Sequence, residues 1–261
     1  MTGHVAAIFR HPIKGFTPEP LSHIDLAPDE GLAHDRAWAV ENGPSGYDPE
    51  APVFIPKQKF TVLAAIPKVA AARTQLDDAT GVFTARAPGV PTFAGRLTEA
   101  EGREGFAVWL TALLGDEARG SLKVVEATGQ FRFTDHPKGQ ISIVNMASVR
   151  DLSAKMGVDL DPLRFRANLY VEGWPAWVEN DWTDLSMMVG WAQAQVYKPI
   201  VRCAAIHVDP TTAIADHDVV KALFDNYGHM FCGIYVRVTT AGRVGLGDAV
   251  TAPEILGKAK P

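Results

Sequence analysis

The chain has 261 residues, with 25 basic against 30 acidic side chains and a formal charge of -5. This mild acidity, without any basic run, excludes general nucleic-acid affinity while leaving room for a local basic pocket. The composition, 47% hydrophobic and 21% charged, is that of a soluble globular protein with material for one large domain or two ordinary ones.

Residues 1–15 lack a sustained apolar core and are broken by His11-Pro12, so they do not read as a secretory signal. No stretch approaches the ~20 apolar residues that span a bilayer. Cys203 and Cys232 allow at most one disulfide and cannot ligate a four-cysteine iron–sulfur cluster. These features predict a cytoplasmic protein whose electrons, if it uses any, arrive from another molecule.

In chain order, the apolar run 5–9 has strand length and stops at the Pro12 turn. Residues 21–26 show mixed alternation, 36–40 form a strand candidate, and the Gly/Pro-rich stretch 41–52 reads as a surface loop. Residues 57–67 read as a bend. The runs 69–73 and 82–85 flank Asp77-Asp78-Ala79-Thr80-Gly81, which predicts a hairpin. The spacing then predicts a helix over 104–114 with Gly115 as its stop, and strands at 122–126 and 141–144. A second helix is expected over 146–156, with Asn145 as its N-cap and Gly157 just past its end. Strands follow at 168–172, 192–196 and 203–208, with a surface loop at 174–185. A helix at 219–226, a strand at 231–238 and a glycine-rich close at 242–250 complete the chain. Short strands with few helices predict a mainly β, α+β architecture centred on a β-barrel.

Cys203 lies in Val201-Arg202-Cys203-Ala204-Ala205-Ile206-His207-Val208-Asp209-Pro210. The permanent charge of Arg202 favours the thiolate, which attacks electrophiles and binds soft metals. A cysteine in an apolar run is equally a small buried hydrophobe. On a strand, His207 would share a face with Cys203, and a structural, hydrogen-bonded histidine is the favoured reading. Arg164 and Arg166 alternate along an expected strand edge. His229 and Cys232 are too few for a zinc site, and Cys232 is expected in the core.

Five segments, in order, resemble the MOSC family, named for the C-terminal domain of molybdenum-cofactor sulfurase. The resemblance is to members with an additional N-terminal β-barrel, such as the amidoxime reducing component. His11-Pro12-Ile13-Lys14-Gly15 is similar to the family's Tyr-Pro-Val-Lys-Ser element, and Gly31 to Trp38, with Asp35-Arg36, to its Gly…Asp-Arg-x-Trp element. Arg164-Phe165-Arg166-Ala167-Asn168 is similar to its Phe-Arg-Pro-Asn element. Arg202-Cys203 with Asp209-Pro210 resembles Arg-Cys…Asp-Pro-x-Thr-Gly, and Gly245-Leu246-Gly247-Asp248 resembles the closing turn.

The resemblance implies a smaller N-terminal β-barrel over 1–100, a MOSC β-barrel over 101–261, and a molybdenum–pterin cofactor between them. It implies Cys203 as molybdenum ligand and catalytic residue. Lys14, Arg36 and Arg166 would hold the pterin phosphate, Asn168 a pterin edge, and Arg202 the thiolate side. The implied activity is reduction of small N-hydroxylated compounds, with electrons from a separate ferredoxin-, flavin- or cytochrome-type protein and with no membrane or nucleic-acid partner. The alternative is a non-redox carrier that holds sulfur or the cofactor through Cys203. Three departures stand out. Gly15 removes a hydroxyl, Ala167 replaces a proline, and Ala213 replaces a glycine, which is expected to forgo a glycine-only backbone conformation.

Overall fold

The computed structural model describes residues 1–137 and 141–254. Its elements are β1 (Thr2–Arg10), β2 (Glu19–Leu21), β3 (His23–Leu26), β4 (Trp38–Asn42), β5 (Arg73–Leu76), β6 (Phe83–Ala87), β7 (Val90–Gly95), α1 (Ala100–Leu114), β8 (Leu122–Glu126), β9 (Ile141–Asn145), α2 (Met146–Met156), β10 (Leu169–Glu172), β11 (Ser186–Val189), β12 (Ala192–Val201), α3 (Val219–Tyr227), β13 (Phe231–Thr240), β14 (Gly242–Gly245) and β15 (Ala249–Thr251).

Strands β10, β9, β13, β12, β11, β15 and β1 hydrogen-bond in that order, and β1 returns to β10, so the sheet closes into a barrel. Closure leaves no unpaired edge among these strands. The one parallel contact sets Leu169 of β10 opposite Ile143 of β9. Alternating side chains point inward, and Val5, Ile143, Val171, Ala194, Val196 and Ile234 fall in one buried cluster. The barrel is built from both ends of the chain. Thr2 pairs with Thr251 and Ile8 with Leu169, while β3 and β14 join through Ile24 and Val244.

After Arg10 the chain touches a second body through Ile13 and Phe16, returns to the barrel with β2 and β3, and enters the second body at β4. This body consists of the β4–β8 pair, the β5–β6–β7 meander and α1. Phe106 of α1 anchors its core, with its ring centroid 5.2 Å from Phe83 and 5.8 Å from Phe16 in edge-on contacts. The junction between the two bodies lies where residues 11–16 and 36–38 meet the barrel. Lys14 N donates to Trp38 O at 2.8 Å, and Arg36 N donates to His11 O at 2.7 Å.

Helix α2 has the expected bounds. Asn145 Oδ1 accepts from Ala147 N at 3.0 Å, and Gly157 takes the left-handed conformation at φ 67°. The hairpin also forms, with Leu76 opposite Phe83, although 69–73 is mostly a 3-10 turn and the first arm begins at Arg73.

Other local readings are corrected. Residues 203–208 are not a strand. Ala204–His207 is a 3-10 turn, because the His207 carbonyl and the Asp209 carboxylate are both bound by Arg164. Arg164 and Arg166 do not alternate on a strand edge. Asp161 caps the 3-10 turn Pro162–Phe165, and Arg166 follows at φ 52°. Ala213 does adopt the left-handed conformation, at φ 60°, within a turn where Asp209 Oδ1 accepts from Thr211 N and Thr212 N, each at 2.8 Å. An L-residue there costs about 1 kcal/mol, which this turn tolerates. Gly15 has a physical reason: φ is 88°, and a Cβ would lie 3.1 Å from Thr61 O.

Candidate functional site

A cavity of about 230 Å³ lies at the junction of the two bodies. Lys14, Arg36, Arg166, Asn168, Arg202 and Cys203 all line it. Lys14 and Arg36 come from the segments that leave and re-enter the second body. Arg166 and Asn168 lie between the Pro162–Phe165 turn and β10, and Arg202 and Cys203 follow β12. Arg36 and Arg166 both have left-handed backbone, at φ 49° and 52°. Such conformations concentrate where the surrounding structure fixes side-chain direction for a purpose.

The cations differ in how far they are already engaged. Lys14 donates to Phe133 O at 3.0 Å and pairs with Asp135. Burial lowers its pKa, against the opposing field of Asp135. Arg36 pairs with Asp35 and donates to Arg166 O at 3.0 Å. Arg202 donates through Nε to Cys232 O and through Nη1 to Phe165 O, both at 2.7 Å, and its guanidinium lies 5.4 Å from the centroid of the Phe165 ring, with no carboxylate partner among the described residues. The Arg166 guanidinium has no hydrogen-bond or ion-pair partner among the described residues. Burial and the neighbouring Arg36 guanidinium bring its pKa down to about 10, and it stays charged at neutral pH. An uncompensated guanidinium facing a cavity is an anion-binding group.

Asn168 is buried and held by the scaffold. Its Oδ1 accepts from Ser142 N at 3.1 Å and Ser142 Oγ at 2.9 Å, and its Nδ2 donates to Phe9 O at 3.2 Å. One amide hydrogen remains for a ligand. His11 is fully buried behind Arg36 and Arg166. Burial and these two charges push its pKa well down, so it is a neutral imidazole.

Cys203 is the one cysteine that lines the cavity, and it is partly exposed there. Among the charged lining residues, Lys57, Asp135 and Lys198 escape a reading of the sequence. Lys57 lies within hydrogen-bond reach of Cys203. Burial works against its charge, but Cys203, Asp135 and Tyr235 outweigh this and raise its pKa. The only hint in the sequence was a lysine directly after Pro56 in a loop. Asp135 is the one carboxylate lining the cavity, and its pKa is held far down, with the charges of Lys14, Lys57 and Arg36 outweighing its burial.

Other candidates lie elsewhere. His207 does not line the cavity; its Nε2 is 3.2 Å from Asp218 and accepts from Val220 N at 3.4 Å, a structural role. Cys232 is core, with its thiol pushed up to about 12 by burial. His229 stacks on Phe231 at 5.0 Å. Among the described residues no group of three or more His, Cys, Asp or Glu is placed to hold a metal. A metal here would take one protein thiolate, and its other ligands would come from the molecule that carries it.

The fold and site thus define a two-body β protein with a basic, single-thiol cavity where the bodies meet. The MOSC domain model matches residues 130–251 and the MOSC N-terminal beta barrel domain model matches residues 2–121, and the chain belongs to the MOSC family. It is similar to the molybdenum cofactor sulfurase of Caenorhabditis elegans, 32% identical over 135 residues, covering 50% of this chain and 18% of that protein. It is also similar to the molybdenum cofactor sulfurase of Danio rerio, 25% identical over 266 residues, covering 90% of this chain and 32% of that protein. The chain therefore spans a third or less of the length of these curated relatives. The crystal structure of the YUAD protein from Bacillus subtilis aligns at a TM-score of 0.46 and 16% identity, covering 96% of this chain and 94% of that one. No helix among the described residues is long and apolar enough to cross a membrane.

Proposed function

We propose that the cavity binds a molybdenum–pterin cofactor and that the protein is an oxidoreductase removing oxygen from small N-hydroxylated compounds. The observation that carries this reading is the meeting of one accessible thiol, Cys203, with one uncompensated guanidinium, Arg166, in a single cavity. The donor set fits the group. A soft thiolate suits molybdenum, and a charged fork suits the phosphate of the pterin. When bound, the cofactor supplies a two-electron metal couple. The protein supplies binding, orientation and electrostatics.

Arg166 takes the phosphate, with Lys14 and Arg36 beside it. Asn168 fixes the floor of the cavity through Ser142 and offers its remaining amide hydrogen. Arg202, directly before Cys203, is tied to Cys232 O and Phe165 O and so fixes the segment that presents the thiol for metal ligation. The overall reaction consumes two electrons and two protons, converts an N–OH group to N–H and releases water. The electrons come from a separate electron-transfer protein of ferredoxin, flavin or cytochrome type.

The sulfurase names of the relatives favour one other reading, in which Cys203 carries sulfur or hands over the cofactor without redox turnover. The deciding experiment measures molybdenum and pterin per protein in material from a cofactor-making host, beside Cys203→Ala, followed by reduction of benzamidoxime with a chemical electron donor. Near-stoichiometric metal, its loss or altered coordination in Cys203→Ala, and turnover are expected. Transferable sulfur on Cys203 without bound metal would replace the oxidoreductase with the carrier.

A further inference from the structure

The cations of the cavity fall into two sets. Lys14 and Arg36 have carboxylate partners in Asp135 and Asp35. Lys57 and Lys198 line the same cavity and have no ion-pair partner among the described residues. Lys57 is brought to Cys203 by the second body, on the short turn Lys57–Lys59. Lys198 comes from β12, five positions before the cysteine, with Nζ 5.9 Å from the centroid of the Tyr197 ring. Two separate parts of the fold thus bring lysines to the cavity that holds the thiol.

Among the described lining residues the single carboxylate Asp135 faces Lys14, Lys57, Lys198, Arg36, Arg164, Arg166 and Arg202, and such an excess of cations raises the local concentration of anions and repels cations. A substrate that reacts beside Cys203 must sit in that field. We propose that Lys57 and Lys198 form a receptor for an anionic group of the substrate, so that the compounds handled here carry a carboxylate or phosphate. This deepens the oxidoreductase reading and rests on it for the identity of the reacting group. The anion preference itself is a property of the cavity and can be measured without the cofactor.

The test compares alkylation of Cys203 by iodoacetate and by iodoacetamide in the full chain from a host that lacks the cofactor. Both reagents attack the same thiolate, so the ratio of their rates cancels the thiolate fraction and reports the field met by an incoming anion. Cys203→Ala corrects for any labelling of buried Cys232. The iodoacetate-to-iodoacetamide ratio is expected to fall at least about fivefold in the Lys57→Gln, Lys198→Gln double variant, and to fall in the parent as salt is added. Lys57→Arg should keep the parental ratio, and Lys68→Gln, outside the cavity, should leave it unchanged.

A smaller fall in the double variant would overturn the proposal. So would a double variant from a cofactor-making host that loses molybdenum and pterin, since the lysines would then hold the cofactor. In cofactor-loaded protein, 4-carboxybenzamidoxime should have a lower KM than benzamidoxime, and the double variant should erase that difference. A parent that binds no molybdenum but keeps the alkylation ratio would sink the oxidoreductase reading and leave the anion receptor standing.

Discussion

Arg164 and Asp216 face each other through two parallel hydrogen bonds of 2.7 Å each. Arg164 Nη2 also reaches Asp209 Oδ2 at 2.8 Å, and Nη1 reaches His207 O at 2.9 Å. In the opposite direction, Arg202 Nη1 reaches Phe165 O at 2.7 Å. The segment that carries Arg166 and the segment that carries Cys203 are therefore tied from both sides. The separation between the Arg166 segment and the thiol is held by these two arginines in addition to the pairing of β12 with β13, where Val201 lies opposite Phe231.

Arg164→Met should destabilise the protein by about 2–4 kcal/mol. Removing one partner of a buried ionic network costs about 3–5 kcal/mol, and here the carboxylate side chains are 19% and 31% exposed and recover some solvation. Arg164→Lys should restore less than half of the loss, because one ammonium cannot match two carboxylates and a carbonyl. Urea unfolding at pH 7 measures both. A loss under about 1 kcal/mol for the methionine variant would show that the network does not hold the two segments.

The same pair predicts an acid limb. The hydrogen bond from Arg164 holds the Asp216 carboxyl below its ordinary 3.8. A folded pKa below the unfolded one gives stability that is fully present above the unfolded value and is lost as pH falls toward the folded one. Between about pH 4.5 and 2.5 the parent should therefore lose stability more steeply than Arg164→Met, measured by urea midpoints across that range. Parallel curves would remove the Arg164–Asp216 bond as a source of stability.

Arg166 is the contrasting case. Its guanidinium makes no bond within the described protein, so Arg166→Met should change stability by no more than about 0.5 kcal/mol, or raise it by removing an uncompensated charge. Methionine keeps the same left-handed backbone demand. Molybdenum and pterin content should nevertheless drop severalfold. A variant that keeps full cofactor content would take Arg166 out of the phosphate role.

The legible parts of the fold are those decided locally. Helix α2 was readable at both ends because Asn145 and Gly157 act within one turn of it. The residues 203–208 misled because an apolar run of this length suits a strand, while its actual shape is set by Arg164, some forty positions earlier. Arg166 and Asn168 were legible as site residues only through the family resemblance. The spacing of Arg164 and Arg166 suggested one face of a strand, whereas a capped 3-10 turn and a left-handed residue aim Arg166 into the cavity. Lys57 left only the hint of a lysine directly after Pro56, because its place in the cavity arises from docking the second body against the barrel. The closure of the barrel by β1 is equally non-local, joining Thr2 to Thr251.

Gly233 offers the sharpest test of how the barrel supports the cysteine. It sits in β13 at φ 80°, and a Cβ there would lie 2.4 Å from Ile143 O and 3.2 Å from Arg202 Nη2. Its turn aims the Cys232 carbonyl at Arg202 Nε, 2.7 Å away. Gly233→Ala combines backbone strain with a clash against a neighbouring strand, and should cost about 3 kcal/mol or more. Gly247 has a similar φ, 84°, but open space around its Cα, so Gly247→Ala should show the strain alone, about 1 kcal/mol. The difference between the two losses, read from thermal unfolding, isolates the clash. Because the clash also displaces Arg202, iodoacetamide should label Cys203 at a changed rate in Gly233→Ala and at the parental rate in Gly247→Ala. Equal losses and equal labelling in the two variants would show that the close packing of Gly233 does not position the thiol.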